Sequence, residues 1–168
     1  DVYKRQILNN LGSREKNMGL EEAARALLEG EDEILNANEE DCEKAAQAGM
    51  SQGLLDRLRL TPARVNAMAD GLLQVAALED PVGEVLSMKQ RPNGLMIGKK
   101  RVPLGVIAMI YEARPNVTAD AFGLCFKSGN AVILKGGSDA ICSNRAIVKC
   151  LREGLERAGL PEDAVQLV

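Results

Sequence analysis

From Leu104 to the end of the chain, apolar extended runs alternate with helical ones: strand, helix, strand, helix, strand. No other feature narrows the fold as much. Leu104–Ile110 is a nearly unbroken apolar run, the pattern of a parallel strand buried on both faces. A helix is predicted from about Val117 to Lys127, ended by Ser128-Gly129-Asn130, and Ala131–Leu134 follows as a second strand. The next helix places Ile141, Val148, Leu151, Leu155 and Ala158 on one face and stops at Gly159 and Pro161. Ala164–Val168 is the third strand. Parallel strands joined through helices take right-handed crossovers, so two in series predict half of a doubly wound sheet of the nucleotide-binding kind. The fold class is α/β, and residues 103–168 form that half-sheet.

Upstream the periodicity is helical. Residues 7–83 read as a helical region, with Leu20, Ala23, Ala24, Leu27 and Leu28 at helical spacing and Ile34, Leu35, Cys42, Ala45 and Ala46 continuing it. Between Glu29 and Glu43 there are eight acidic residues and no basic ones. An acidic docking surface or a solvated helix face both suit that run, and the solvated face is several times commoner. Thr61-Pro62 opens a further helix with an N-cap and a first-turn proline. Its apolar stripe is Val65, Met68, Ala69, Leu72 and Val75, and Asp80-Pro81 ends it.

Residues 84–102 change character. Arg91-Pro92-Asn93-Gly94 is turn chemistry between two extended segments, which predicts a long hairpin. Five basic residues and no acidic one lie between Met88 and Arg101. Guarding a sheet edge or meeting a partner subunit is the ordinary use of such residues, ahead of a nucleic-acid patch. Residues 1–6 (DVYKRQ) resemble a translated adaptor scar and are set aside from fold reasoning. With no initiator methionine and a last strand that has no turn after it, a truncated protein is expected.

Composition excludes whole classes of chemistry. There is no histidine, so no Ser-His-Asp triad, Cys-His pair or histidine metal site can be built from this chain alone. Aromatics are 2% (Tyr3, Tyr111, Phe122, Phe126) and the net charge is −3, which argues against base stacking and duplex binding. Cys42, Cys125, Cys142 and Cys150 lack the short spacing of a zinc site or a redox pair, and no metal is expected. Cys142 and Cys150 fall eight apart on one predicted helix, too far to bond. Cys125 sits among apolar residues as an inert core thiol. The longest apolar stretch, Val102–Ile110, is too short to span a membrane. The chain reads as a soluble cytoplasmic protein.

Ligands of such sheets bind beyond the carboxyl ends of the strands, and two loops meet that condition on one rim. One is Tyr111-Glu112-Ala113-Arg114-Pro115-Asn116; the other is Lys135-Gly136-Gly137-Ser138. The second brings two glycines and a cation to a helix N-terminus, a setting that favours phosphate. It equally suits a tight strand-to-helix turn with Ser138 as N-cap. Arg114 suits a carboxylate or phosphate by bidentate pairing, or a structural salt bridge. Asn116, between a proline and a helix, is chiefly an N-cap candidate, and its amide also suits an oxyanion.

The segments RPNGLMIGKKRVPLGVIAMIYEARPNVTADAF and KSGNAVILKGGSDAICSNRA, with LLDRLRLTPARVNAMADGL and DPVGEV upstream, resemble the gamma-glutamyl phosphate reductase family of the aldehyde dehydrogenase superfamily. The resemblance runs from about Leu8 to Val168. It implies an aldehyde-dehydrogenase-like fold whose residues 84–102 join an oligomerisation sheet. It also implies NADPH-dependent reduction of gamma-glutamyl phosphate to glutamate 5-semialdehyde and phosphate, in proline biosynthesis. In that family a cysteine thiolate attacks the acyl phosphate, phosphate leaves, and hydride reduces the thioester. A homo-oligomer and an association with the glutamate 5-kinase that supplies the substrate follow from the same resemblance.

Residue by residue, Pro103-Leu104-Gly105-Val106 matches the superfamily's entry into the nucleotide fold, and Lys135 the lysine that binds the adenosine ribose. Ile110, Tyr111, Glu112, Lys135, Gly136, Gly137 and Ser138 are thus expected to contact NADP(H). The superfamily commonly has proline and then, two residues on, glutamate after that lysine, whereas Gly136, Gly137 and Ser138 stand here. Without that carboxylate the loop tolerates a 2′-phosphate, with Lys135 and Ser138 as donors. The superfamily's oxyanion asparagine has no clean match: Arg114 stands there, and Asn116 two residues later, so both are candidate substrate contacts. The family's nucleophilic cysteine and the glycine-rich turn after its third strand match nothing in this chain. The segment alone is therefore expected to be inactive. Another acyl-phosphate or aldehyde dehydrogenase of the superfamily, or a non-catalytic nucleotide-binding module, are the alternatives.

Overall fold

The computed structural model describes residue 8 and residues 10–168, and the segment 1–6 set aside above lies outside the described residues. Among the described residues, the helices α1 (Ser13–Glu29), α2 (Glu31–Gln47), α3 (Gln52–Leu58) and α4 (Pro62–Ala77) come before the first strand. The Thr61 hydroxyl accepts from the Arg64 N–H at 3.3 Å, as an N-cap threonine should. Of the expected α4 stripe, Val65, Met68, Ala69 and Leu72 are buried, and Val75 packs half-buried at its margin. The acidic run falls on α2, most of it facing solvent, with Glu33 paired to Lys149 at 2.8 Å. Asp41 breaks the pattern and is buried.

The hairpin forms from β1 (Val85–Gln90) and β2 (Met96–Lys100), paired antiparallel with an irregularity between Val85 and Ser87. Its turn is built as the sequence suggests. Gly94 takes φ +84, its N–H donates to Arg91 O, and the Asn93 side chain accepts from Leu95 N–H at 3.1 Å. Every hairpin residue in the two strands is exposed.

The remaining elements are β3 (Val106–Ile110), α5 (Asn116–Lys127), β4 (Ala131–Lys135), a 3₁₀ turn (Ser138–Ala140), α6 (Ile141–Arg157), a second 3₁₀ turn (Glu162–Ala164) and β5 (Val165–Leu167). β3, β4 and β5 lie side by side in chain order, all parallel. Two crossovers of one hand stepping in one direction put α5 and α6 on the same face. That face holds the core, where Val132, Leu134 and Val165 meet Phe122, Phe126, Ile147 and Leu151. The two phenylalanine rings stack with centroids 5.3 Å apart.

The expectation that Leu104–Ile110 is buried on both faces is corrected here. Ile107 and Met109 pack against the core, whereas Val106 and Ala108 are exposed and Leu104 and Ile110 are 81% and 80% exposed. No described element covers the second face, so an apolar run that reads as doubly buried is buried only once.

Close contacts tie the helices to one another and to the loop after α4. At Gly154 a Cβ would lie 2.5 Å from Ala23 Cα, so α6 and α1 touch backbone to backbone. Below them Lys16, only 1% exposed, pairs with Asp80 at 2.5 Å, and Ser13 and Val82 N–H also donate to that carboxylate. Lys127, at the end of α5, donates to Asn17 and to Ala76 O beside it.

Candidate functional site at the carboxyl rim of the sheet

β3 and β4 pair with Ile110 opposite Lys135, and the Tyr111 N–H donates to Lys135 O at 3.1 Å. The 111–116 and 135–138 loops therefore sit side by side on the rim that the strand order points to. Their contact explains the glycine pair. A Cβ on Gly136 would come within 2.2 Å of Asn144 Nδ2 and 3.2 Å of the Tyr111 ring, and one on Gly137 within 3.3 Å of Ala113 N. Neither glycine has a positive φ, so close packing rather than backbone freedom demands them. Beneath the loops, Thr118 donates to Asn144 Oδ1 at 2.8 Å, which leaves the Tyr111 hydroxyl as donor to Thr118 at 2.7 Å. Burial raises the Tyr111 phenol pKa, and the Thr118 contact opposes the shift. Asn144 Nδ2 is buried without a hydrogen-bond partner among the described residues.

The helix end that the sequence offers to phosphate is already occupied. Asp41 Oδ1 accepts from the Cys142 N–H at 3.2 Å, and Oδ2 accepts from the Ser143 N–H and hydroxyl, both at 2.7 Å. A carboxylate from α2 thus satisfies the open N–H groups and the dipole of α6. Ser138 is not its N-cap either: the 3₁₀ turn intervenes, the cap position falls on Ala140, and no side chain caps there.

What remains available for a ligand on this loop is the pair Lys135 and Ser138. Both are exposed, and neither side chain has a hydrogen-bond or ion-pair partner among the described residues; the same holds for Glu112. A cation and a hydroxyl three residues apart on an open rim fit a ribose phosphate. That is the part of a dinucleotide assigned to them above, and the α6 N-terminus has no free groups for the pyrophosphate.

On the other loop, the N-cap reading of Asn116 is corrected. α5 begins with Val117 N–H donating to Arg114 O and Thr118 N–H to Pro115 O, so backbone carbonyls fill that role. The freed Asn116 amide approaches the Asp120 carboxylate at 3.5 Å. Arg114 forms no salt bridge among the described residues, which sets aside its structural reading. It opens instead onto a cleft of about 420 Å³ between α3, α4 and α5, together with Asn116, Asp120, Arg57, Arg59 and Arg64.

Arg57, Arg59 and Asp120 were missed in the sequence because each reads as an ordinary exposed charge of its own element. The fold brings them together. Asn38, buried on α2, donates to Leu58 O and accepts from Leu60 N–H at 2.6 Å. This holds Leu58 and Leu60 inward, so Arg59 between them faces out. Arg64 braces the same stretch by donating to Asp56 O and Arg59 O. Arg57, Arg59 and Arg114 keep side chains without hydrogen-bond or ion-pair partners among the described residues.

The four thiols are free, and burial raises the pKa of each, Cys150 to about 11. Among the described residues no cluster of metal-ligating side chains occurs, and no helix is long and apolar enough to cross a membrane.

No family model matches the chain. A gamma-glutamyl phosphate reductase from Clostridium botulinum is 57% identical over 162 residues, 96% of this chain and 39% of that protein. The crystal structure of gamma-glutamyl phosphate reductase from Thermotoga maritima superposes with TM-score 0.95 at 44% identity, covering 99% of this chain and 40% of that one. A probable aldehyde dehydrogenase from Listeria monocytogenes shares the fold at TM-score 0.72 and 15% identity, covering 98% of this chain and 34% of that one. The chain thus spans about two-fifths of the length of the curated relatives it matches. Sequence and fold together place it in the gamma-glutamyl phosphate reductase family, as the counterpart of that family's N-terminal two-fifths, with an aldehyde-dehydrogenase-like α/β architecture.

Proposed function

We propose that the complete protein carrying this segment reduces gamma-glutamyl phosphate to glutamate 5-semialdehyde, releasing phosphate, in proline biosynthesis. The observation that carries this reading is 57% identity to a reductase of that name across 96% of the chain. NADPH, when bound, supplies the hydride. Lys135 and Ser138 hold its ribose phosphate, and the packed Gly136-Gly137 turn against Tyr111-Glu112 and Ile110 sets the floor beneath them. Arg114 offers its unpaired guanidinium to the acyl phosphate, and Asn116 offers its amide to the oxygen that gains negative charge.

Burial favours the thiol over the thiolate in each of the four cysteines here, which speaks against any of them as the nucleophile. The nucleophile accordingly belongs to the rest of the protein, and the 168-residue segment alone turns nothing over. The exposed apolar hairpin meets a second subunit in a homo-oligomer, and the kinase that makes the unstable acyl phosphate is the natural neighbour. A cytoplasmic setting suits NADPH-driven biosynthesis and reduced thiols.

The test is the reverse reaction of the full-length protein, with glutamate 5-semialdehyde, NADP⁺ and inorganic phosphate. NADPH formation that requires phosphate is the expected result. Oxidation of the aldehyde without phosphate would replace this reading with an ordinary aldehyde dehydrogenase.

A further inference from the structure

The cleft between α3, α4 and α5 carries charges that do not match one another internally. Four arginines and two aspartates line it, and only one ion pair forms among its described residues, Arg64 with Asp56 at 3.5 Å. Arg64 is a brace, as its two backbone contacts show. That leaves Arg57, Arg59 and Arg114 as cations without a carboxylate and Asp120 as a carboxylate without a cation. Among the described residues the Asp120 carboxylate accepts one hydrogen bond, from the Asn116 amide at 3.5 Å. At about 420 Å³ the cleft falls in the ordinary range of small-molecule sites.

Separated fixed charges of both signs in one cleft describe a zwitterion. We propose, resting on the reductase reading above, that this cleft is the subsite for the α-amino acid end of the substrate: Asp120 takes the α-ammonium group and Arg57 and Arg59 take the α-carboxylate. Arg114 and Asn116, at the rim end of the cleft, are left for the acyl phosphate. The excess of arginine over aspartate suits a ligand that carries a carboxylate and a phosphate against one ammonium. Desolvation by the cleft walls already raises the Asp120 carboxyl pKa, with Asn116 opposing, so an arriving cation relieves a cost the empty cleft bears. Asp120 is then also the element that rejects. A ligand of the same length without the amine brings its oxygens to an unpaired carboxylate and leaves that charge uncompensated.

The experiment compares two aldehydes in the phosphate-dependent reverse reaction of the full-length protein: L-glutamate 5-semialdehyde and 5-oxopentanoate, the same aldehyde without its α-amino group. The parent protein is expected to prefer the amino-bearing substrate, by kcat/KM. Asp120→Asn is expected to shrink that preference on the order of 10- to 100-fold, mainly through KM. Asp120→Glu, which keeps the charge, is expected to retain it within a few-fold. Exchanging Arg57 and Arg59 together for glutamine is expected to raise KM for both aldehydes, since both carry the carboxylate. Each ratio is internal to one preparation, so partial unfolding of a variant lowers both activities and leaves the ratio unchanged. A parent with no preference, or an Asp120→Asn ratio equal to the parent's, overturns the subsite. A parent inert toward both aldehydes overturns the reductase reading instead.

Discussion

One oxygen of the Asp41 carboxylate lies 2.7 Å from both the amide nitrogen and the hydroxyl oxygen of Ser143, 102 residues further along the chain. The contact ties the helical N-terminal region to the second crossover helix of the sheet. Both partners are buried, so water cannot replace the carboxylate if it is removed.

Asp41→Ala is accordingly expected to cost about 2–4 kcal/mol of stability, because the α6 N-terminus loses a charged cap and keeps its buried donors. Asp41→Asn keeps one acceptor and is expected to lose roughly half as much. Equilibrium unfolding of the full-length protein checks both, and an Ala variant as stable as the parent would show that the cap is replaceable.

Asp80 and Lys16 give a pH-dependent term. Burial alone would raise the Asp80 carboxyl, but the bonds from Lys16, Val82 N–H and Ser13 outweigh it and hold the group below its ordinary 3.8. A folded pKa below the unfolded one contributes stability that is complete above the ordinary carboxylate range and disappears as pH falls through the folded value. Melting temperature followed from about pH 6 to about pH 2 should therefore fall more steeply in the parent than in Asp80→Asn. Asp80→Ala strands the Lys16 ammonium and is expected to cost about 3–5 kcal/mol near neutral pH.

Gly154→Ala is expected to destabilise by on the order of 3 kcal/mol, at the top of the usual range for one added methyl. The atoms in its way are backbone, Ala23 Cα and N, so no rotamer change relieves the clash. Thermal unfolding beside Gly53→Ala, where nothing lies within 4 Å, separates packing from helix propensity.

The thiols should be slow. With each pKa raised by burial, a thiol-reactive disulfide reagent near neutral pH should label none of the four quickly. Cys142, the one not fully buried, should lead and accelerate with rising pH. A fast-labelling thiol among these four at neutral pH would reopen the search for a nucleophile within the segment.

Replacing Met88, Met96 and Ile97 by serine should lower the mass of the full-length assembly in light scattering while the far-ultraviolet spectrum stays unchanged. All three are exposed on the hairpin, outside the core. Unchanged mass would place the subunit contact elsewhere.

What the sequence makes legible here is local. The Thr61 cap, the Arg91–Gly94 turn and the helix stops at Gly129 and Gly159, with φ +76 and +69, are decided by a few adjacent residues. The alternation after Leu104 predicts parallel strands and the hand of their crossovers, whereas the order β3-β4-β5, with both crossovers stepping in one direction, is seen only in the fold. The rest depends on partners far away in the chain. Asp41 looks like any other member of an acidic run until Ser143 is placed against it. The one-sided burial of β3 depends on which face receives helices, which a uniformly apolar run does not encode. Asn116 reads as a cap because capping is the commonest use of that residue type there, and the backbone carbonyls that displace it leave no trace in composition. For the cleft, Arg114 was legible from its loop, whereas Arg57, Arg59 and Asp120 acquire meaning only when three helices converge.

Among the described residues the hairpin contributes no side chain to the buried core. Its sequence is therefore under almost no obligation to the folding of the body, and substitutions along both strands are close to neutral for it. Selection acts on this arm through whatever it touches. Such a segment can drift, acquire a new complementary surface and fix a different subunit arrangement, one substitution at a time, without any intermediate that fails to fold.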